Sequence, residues 1–262
     1  MGNYYFLTAS LPTLDLKKKS EIGTLELKVL LQENLEVEDL SSIELYCRII
    51  DLHNIRALAM NGHIDPRGNL TEKELDEALL TRMDMPDYLF DYLDNHKVGN
   101  ERSENFAELL TAYFENEIPA AKGFLRELLE FERNYRLVLT GLRCKELKRD
   151  PASELQFEDL SDFVIAGIIA QKSAAEYTPP VEFADLAEIF HRCKHDTWLR
   201  HEELLKYRYN KIEDMLTAPL FTIDWIIAYL ARLMIVEDLF YFDSQVMHQK
   251  GNKLLETYTS RE

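Results

Sequence analysis

Apolar residues recur at helical spacing along most of this chain. The clearest run is Phe106, Leu109, Leu110, Tyr113 and Phe114, at i, i+3, i+4, i+7 and i+8, which places all five on one face of a helix. Before it, Ser41-x-x-Glu44 has the spacing of a capping box and opens a helical pattern through Ile43, Cys47, Ile50, Asn54 and Leu58 to Asn61-Gly62, which suits a C-cap. Thr71-x-x-Glu74 repeats the signal ahead of Leu75, Ala78 and Leu79, and Pro86 stands in the first turn of a helix carrying Tyr88, Leu89, Tyr92 and Leu93. Pro119 restarts or kinks the pattern. A helix over Leu125, Leu128, Leu129 and Phe131 runs on through Leu142 to Asp150-Pro151, where the proline forbids continuation. Phe157 to Ile169 follows, with Ile165, Ile168 and Ile169 inward. Further helices carry Phe183, Leu186, Ala187 and Phe190, then Leu204, Leu205, Ile212 and Met215, and a long apolar one begins at Thr222.

Tyr4 to Ala9 is aromatic and β-prone and reads as a short extended segment ended by Pro12; a polar tail is expected after Leu255. No alternating stretch is long enough to build a sheet. The expected fold is all-α, a multi-helix bundle of related helical subdomains, with more than half of the residues helical. Thr178-Pro179-Pro180 is the most rigid punctuation and divides the chain into 1–178 and 179–262, packed into one body.

Composition agrees with this pattern. A 262-residue chain that is 46% hydrophobic, with 13 Tyr and 13 Phe, can bury a sizeable core, and 9 Gly with 8 Pro provide too few turns for an all-β fold. Cys47, Cys144 and Cys193 are scattered and odd in number, which implies neither a disulfide framework nor a redox pair and suits a reducing compartment. The N-terminus lacks a signal-peptide pattern. The apolar run Trp225 to Val236 is interrupted by Arg232 and is too short to span a bilayer. A formal net charge of −17, relieved only by the short run Lys17-Lys18-Lys19, argues against nucleic acid and anionic membranes as partners.

Candidate chemistry is sparse. His191 and His195 stand at i and i+4 around Cys193, a spacing that can hold zinc, but His201 falls near a break between helices and no HExxH motif or cysteine pair completes a site. His195-Asp196 has the form of the doublet of helical metal-dependent phosphohydrolases, yet Leu160 to Gln171 contains no upstream histidine. Phosphate-binding glycine loops, GxSxG and kinase motifs are absent. No catalytic, cofactor or metal residue is assigned. A repeated pattern is more informative: Asp51-Leu-His-Asn54-Ile55-Arg56 and, more loosely, Phe131-Glu-Arg-Asn134-Tyr135-Arg136. Asparagine is unfavourable inside a helix, so Asn54 and Asn134 are expected to be at least partly buried and to bond across to neighbouring helices.

The Asp-x-x-Asn-hydrophobic-Arg pattern resembles that of the C subunit (d in eukaryotic complexes) of V-type and archaeal A-type rotary ATPases. Asn54 and Arg56 match directly, Asn134 and Arg136 form a second copy, and Val236-Glu237-Asp238-Leu239-Phe240 is a degraded third with Asp238 and Phe240 in the Asn and Arg places. The Tyr-rich start with Leu11-Pro12 and the helix Ile226 to Leu233 are similar to shorter bacterial relatives encoded beside V-type ATPase genes. The resemblance implies a non-enzymatic coupling or assembly component, cytoplasmic and held at the membrane through the central shaft and rotor ring. The alternative is a stand-alone helical phosphohydrolase or a general interaction scaffold.

Overall fold

A computed structural model describes the backbone of residues 4–259 and the side chains of 4–242. About 70% of the chain is helical, and no strand occurs among the described residues. In chain order the α-helices are α1 (Tyr5–Ser10), α2 (Thr24–Asn34), α3 (Val37–Ala59), α4 (Glu72–Thr81), α5 (Asp87–Asn95), α6 (Gly99–Glu104), α7 (Phe106–Ala120), α8 (Gly123–Leu147), α9 (Pro151–Glu154), α10 (Phe163–Ala170), α11 (Ala184–Arg192), α12 (Thr197–Met215) and α13 (Ile223–Thr259). Among the described residues no helix is long and apolar enough to cross a membrane.

Two compact units result, one of residues 36–187 and one that joins 1–35 to 188–262. The first 35 residues therefore return to the C-terminal unit, and the second junction lies inside α11, beyond the 178/179 boundary that the prolines suggested. Nothing in the short-range pattern could reveal that return, because its partners are some 200 positions distant: Tyr4 N donates to Phe221 O (2.9 Å) and the Tyr229 hydroxyl to Pro12 O (2.8 Å).

In the unit 36–187, α8 packs on α3, α7, α9 and α10, while α3 and α5 also lie against α7. Leu128, Leu137 and Val138 on α8 are fully buried, as are Leu52, Leu75, Leu89 and Tyr113 from the surrounding helices. Each buried aliphatic side chain contributes about 1.5–3 kcal/mol relative to exposure. The capping box at Thr71 is present, with Thr71 N donating to Glu74 Oε2 (2.8 Å) and Glu74 N to Thr71 Oγ1 (3.4 Å). The end of α3 is a Schellman motif: Asn61 takes a left-handed φ of 55°, Asn61 N bonds Leu58 O (3.0 Å), and Gly62 N bonds Ala57 O (2.8 Å).

Several boundaries differ from expectation. Residues 5–10 are helical, not extended, because Tyr4 O accepts from both Thr8 N (3.0 Å) and the Thr8 hydroxyl (2.8 Å). Helix α3 begins at Val37, so Ser41 is interior and its hydroxyl donates back to Val37 O (3.0 Å). The helix expected over Phe157 to Ile169 starts only at Phe163, where Asp162 accepts from Val164 N (2.9 Å) and Ile165 N (3.2 Å). At Pro119 the restart expected as one of two outcomes is what occurs: the proline lies in the last turn of α7 and a new helix, α8, begins at Gly123.

In the other unit, α12 and α13 form an antiparallel pair, with Glu213 beside Arg232 (2.8 Å) and Trp198 beside Phe242 (4.9 Å between ring centres). Every residue from Ile226 to Leu233 is buried. Helix α2 has no cap of its own; the Glu237 carboxylate of α13 accepts from Thr24 N (2.7 Å) and Thr24 Oγ1 (2.6 Å), a negative charge at the positive end of the helix. The backbone of α13 is helical to Thr259, and the side chains of the polar tail expected after Leu255 lie outside the described residues.

Candidate functional site

The motif Asp51-x-x-Asn54-x-Arg56 lies in the C-terminal part of α3, with Asp51 and Asn54 buried and Arg56 exposed. Asn54 is 2% exposed. Its amide behaves as a strand would toward one residue of the loop, with Asn54 Nδ2 donating to Asp65 O (2.9 Å) and Oδ1 accepting from Asp65 N (2.7 Å). One turn earlier, Asp51, 1% exposed, accepts from Leu70 N (3.1 Å). Aspartate and asparagine three apart share a helix face, so together they grip both ends of the loop 65–70. Gly68 passes directly above them, where an added Cβ would come 2.3 Å from Asp51 Oδ1 and 3.1 Å from Asn54 Nδ2. The loop is completed by Arg67, whose guanidinium binds Asp65 (2.7 Å), and by Asn69 Nδ2 on Glu44 O (2.8 Å). This is a clasp made within one helix–loop unit. Asn54 is buried as expected, but its partner is the loop, not a neighbouring helix.

Arg56 points elsewhere, toward α6 and the first residue of α7. It donates to Ser103 Oγ (3.3 Å) and its guanidinium lies over the Phe106 ring at 5.0 Å. His53, itself exposed, packs on the same ring (4.9 Å).

The second copy divides in two. Asn134 is half-buried and, among the described residues, accepts only a 3.3 Å bond from Arg133 of its own helix, so it clasps none of the described loops. Arg136 does match Arg56, because it too lies over a phenylalanine of α7, Phe114 at 5.6 Å. It also bonds the buried carboxylate of Glu158, which further accepts from the Thr111 hydroxyl (2.6 Å) and lies 3.6 Å from Arg133. Arg133 in turn reaches Asp162 (3.0 Å). Arg136 Nε is buried with no partner among the described residues. The arginines of the pattern thus share a role while the asparagines do not.

Sequence reasoning missed a third buried carboxylate. Glu117 is 5% exposed and accepts from Arg48 Nη1 (2.6 Å) and the Tyr88 hydroxyl (2.9 Å), joining α3, α5 and α7. Burial, then the Glu117 charge, pushes the Tyr88 hydroxyl far above the ordinary tyrosine value. In an acidic chain no local signal separates this glutamate from its solvated neighbours.

The histidine cluster does not assemble. α11 stops at Arg192, so His191 and His195 do not share a helix face; both are exposed, as is His201, whereas Cys193 is buried. Asp196 of the doublet caps α12, accepting from Trp198 N (3.0 Å) and Leu199 N (2.9 Å). Among the described residues no group of three or more His, Cys, Asp or Glu is arranged to hold a metal ion. The buried carboxylates Asp51, Glu117 and Glu158 are each bonded to amides, hydroxyls or guanidiniums, so their chemistry is that of internal fasteners.

This is a helical protein whose buried polar groups serve its own assembly, and it belongs to the family described as protein of unknown function DUF2764, which residues 1–258 match. It is 27% identical over 263 residues to an uncharacterized protein of Chlamydia muridarum (strain MoPn / Nigg), covering 97% of both chains. To an uncharacterized protein of Chlamydia pneumoniae it is 29% identical over 241 residues, 89% of this chain and 90% of that one. No solved structure matches the chain.

Proposed function

We propose that this protein is a non-enzymatic component of a V-type ATPase, either a subunit or an assembly factor, that couples the central shaft to the membrane rotor ring. The observation that supports the reading is the use made of Asp51-x-x-Asn54-x-Arg56. This pattern carries the resemblance to the C-type subunits, and its three side chains are spent on holding a loop and a neighbouring helix. A part that passes torque needs a stiff interior, since close-packed helices have low compressibility and transmit strain. The protein is then peripheral to the membrane through its partner subunits. The phosphohydrolase alternative draws no support from the histidines, since Asp196 is occupied as a helix cap.

The test is deletion of the gene and assay of membrane vesicles. Coupling predicts that ATP hydrolysis persists while ATP-driven ion transport falls, or that the soluble sector leaves the membrane with its nucleotide sites intact. Full transport at normal ATPase activity in the deletion strain contradicts the proposal.

A further inference from the structure

One exposed corner carries large apolar side chains that the fold does not use. Helix α4 buries Leu75 and Ala78, but Leu80, on its outer side, is 85% exposed, and Met83, just past its end, is 62% exposed. Met83 stands between two non-glycine residues in the left-handed region, Arg82 (φ 57°) and Asp84 (φ 62°). The corner is also tied down. Arg82 binds Asp94 of α5 through two bonds (3.0 and 2.7 Å) and lies over the Phe90 ring at 5.0 Å, so Met83 is presented outward by a fixed turn.

The surroundings of this corner have one sign of charge. Between positions 72 and 94 there are eight carboxylates against Lys73 and Arg82, and Arg82 is already engaged. Exposed Asp76 and Glu77 stand one turn before Leu80 on α4, and Asp84 and Asp87 flank Met83 on its C-terminal side.

We propose that the Leu80–Met83 corner docks a basic amphipathic helix of a partner protein, its apolar stripe seated on Leu80 and Met83 and its lysines or arginines facing the surrounding carboxylates. The chemistry of the corner selects this occupant over others. A second copy of the chain would bring like carboxylates together across a self-complementary contact, and an anionic membrane or nucleic acid would be repelled. The inference is independent of the ATPase reading, because it uses only the surface of α4 and α5.

Calorimetric titration of the full-length protein with a short lysine–leucine peptide of helical amphipathic spacing tests it. Leu80→Ser with Met83→Ser is expected to weaken binding about tenfold or more, since apolar anchors carry most of the energy in such contacts. Asp76→Lys with Glu77→Lys is expected to weaken it as much, whereas Glu115→Lys with Glu127→Lys, exposed acids on α7 and α8, changes it by less than about threefold. All of these side chains are exposed, so the fold is retained, and circular dichroism verifies this. The proposal is overturned if the wild-type protein does not bind, if the serine variant binds like wild type, or if both lysine pairs weaken binding alike, the mark of unspecific attraction to an acidic chain.

Discussion

Asn54→Ala removes one half of the clasp and is the sharpest probe of the motif. The side chain makes two hydrogen bonds to the backbone of Asp65, at 2.9 and 2.7 Å. At about 1 kcal/mol net for each bond, the loss is about 2 kcal/mol if the loop opens enough for water to take their place. If Asp65 N–H and C=O stay shielded, their desolvation raises the cost to about 3 kcal/mol. Asn54→Asp separates hydrogen bonding from shape: it keeps an acceptor for Asp65 N, loses the donor to Asp65 O, and sets a second carboxylate one turn from buried Asp51. It should therefore be worse than alanine at pH 7. The new carboxyl would have a folded pKa above its unfolded value of about 3.9, so its protonated form stabilises the fold. The deficit relative to wild type should therefore shrink as pH falls toward and below that value. Urea unfolding of the three proteins measures the differences, and hydrogen exchange at the Asp65 amide reports the loop directly. A loss under about 0.5 kcal/mol for both variants, with Asp65 exchange unchanged, would refute the clasp.

Four further outcomes are expected. Gly68→Ala drives a Cβ to 2.3 Å from Asp51 Oδ1 and should destabilise by about 1–3 kcal/mol in the same urea assay. Glu158→Ala leaves Arg133 and Arg136 without their shared carboxylate; because both arginines keep some solvent, the loss should be about 2–3 kcal/mol rather than the full cost of breaking a buried pair. Burial pushes the hydroxyls of Tyr92, Tyr177 and Tyr229 up to about 12. A raised folded value means stability is complete below the unfolded pKa of about 10 and is lost as pH rises toward the folded value, so unfolding midpoints should drop between about pH 10 and about 12; Tyr177→Phe, which deletes a buried hydroxyl with no partner among the described residues, should be neutral or stabilising and lessen that drop. Protein never exposed to a metal column should carry no stoichiometric metal, and one equivalent of zinc or manganese lost with His195→Ala would revive the phosphohydrolase alternative.

Much of the helical framework was legible because local rules decide it. The Thr71/Glu74 box, the Asn61-Gly62 stop and the inward face of α7 all follow from spacing within a few residues. Where expectation failed, a distant group or a stronger local bond decided. Tyr4 to Ala9 has β-prone side chains, yet the Tyr4 carbonyl captures Thr8 and the segment turns helical while its first amide is held by Phe221. The start of α2 carries no capping signal because its cap, Glu237, is on α13. The same limit applies to the candidate residues. That Asn54 and Asn134 share a pattern could be seen, but that only Asn54 has a loop to clasp could not, since the difference rests on Gly68 letting the loop pass close above Asp51. Glu117 and Glu158 were invisible as fasteners, because their arginine partners lie up to 69 positions away.

The proposed association with a V-type ATPase, as a subunit or an assembly factor, is tested most directly by affinity purification of the tagged full-length protein from its own cells. Mild solubilisation of membranes, followed by mass spectrometry of the bound fraction, should recover V-type ATPase subunits, those of the central shaft among them, in amounts comparable to the tagged protein. Recovery of the protein without any V-type ATPase subunit, from cells that are making that enzyme, would contradict it.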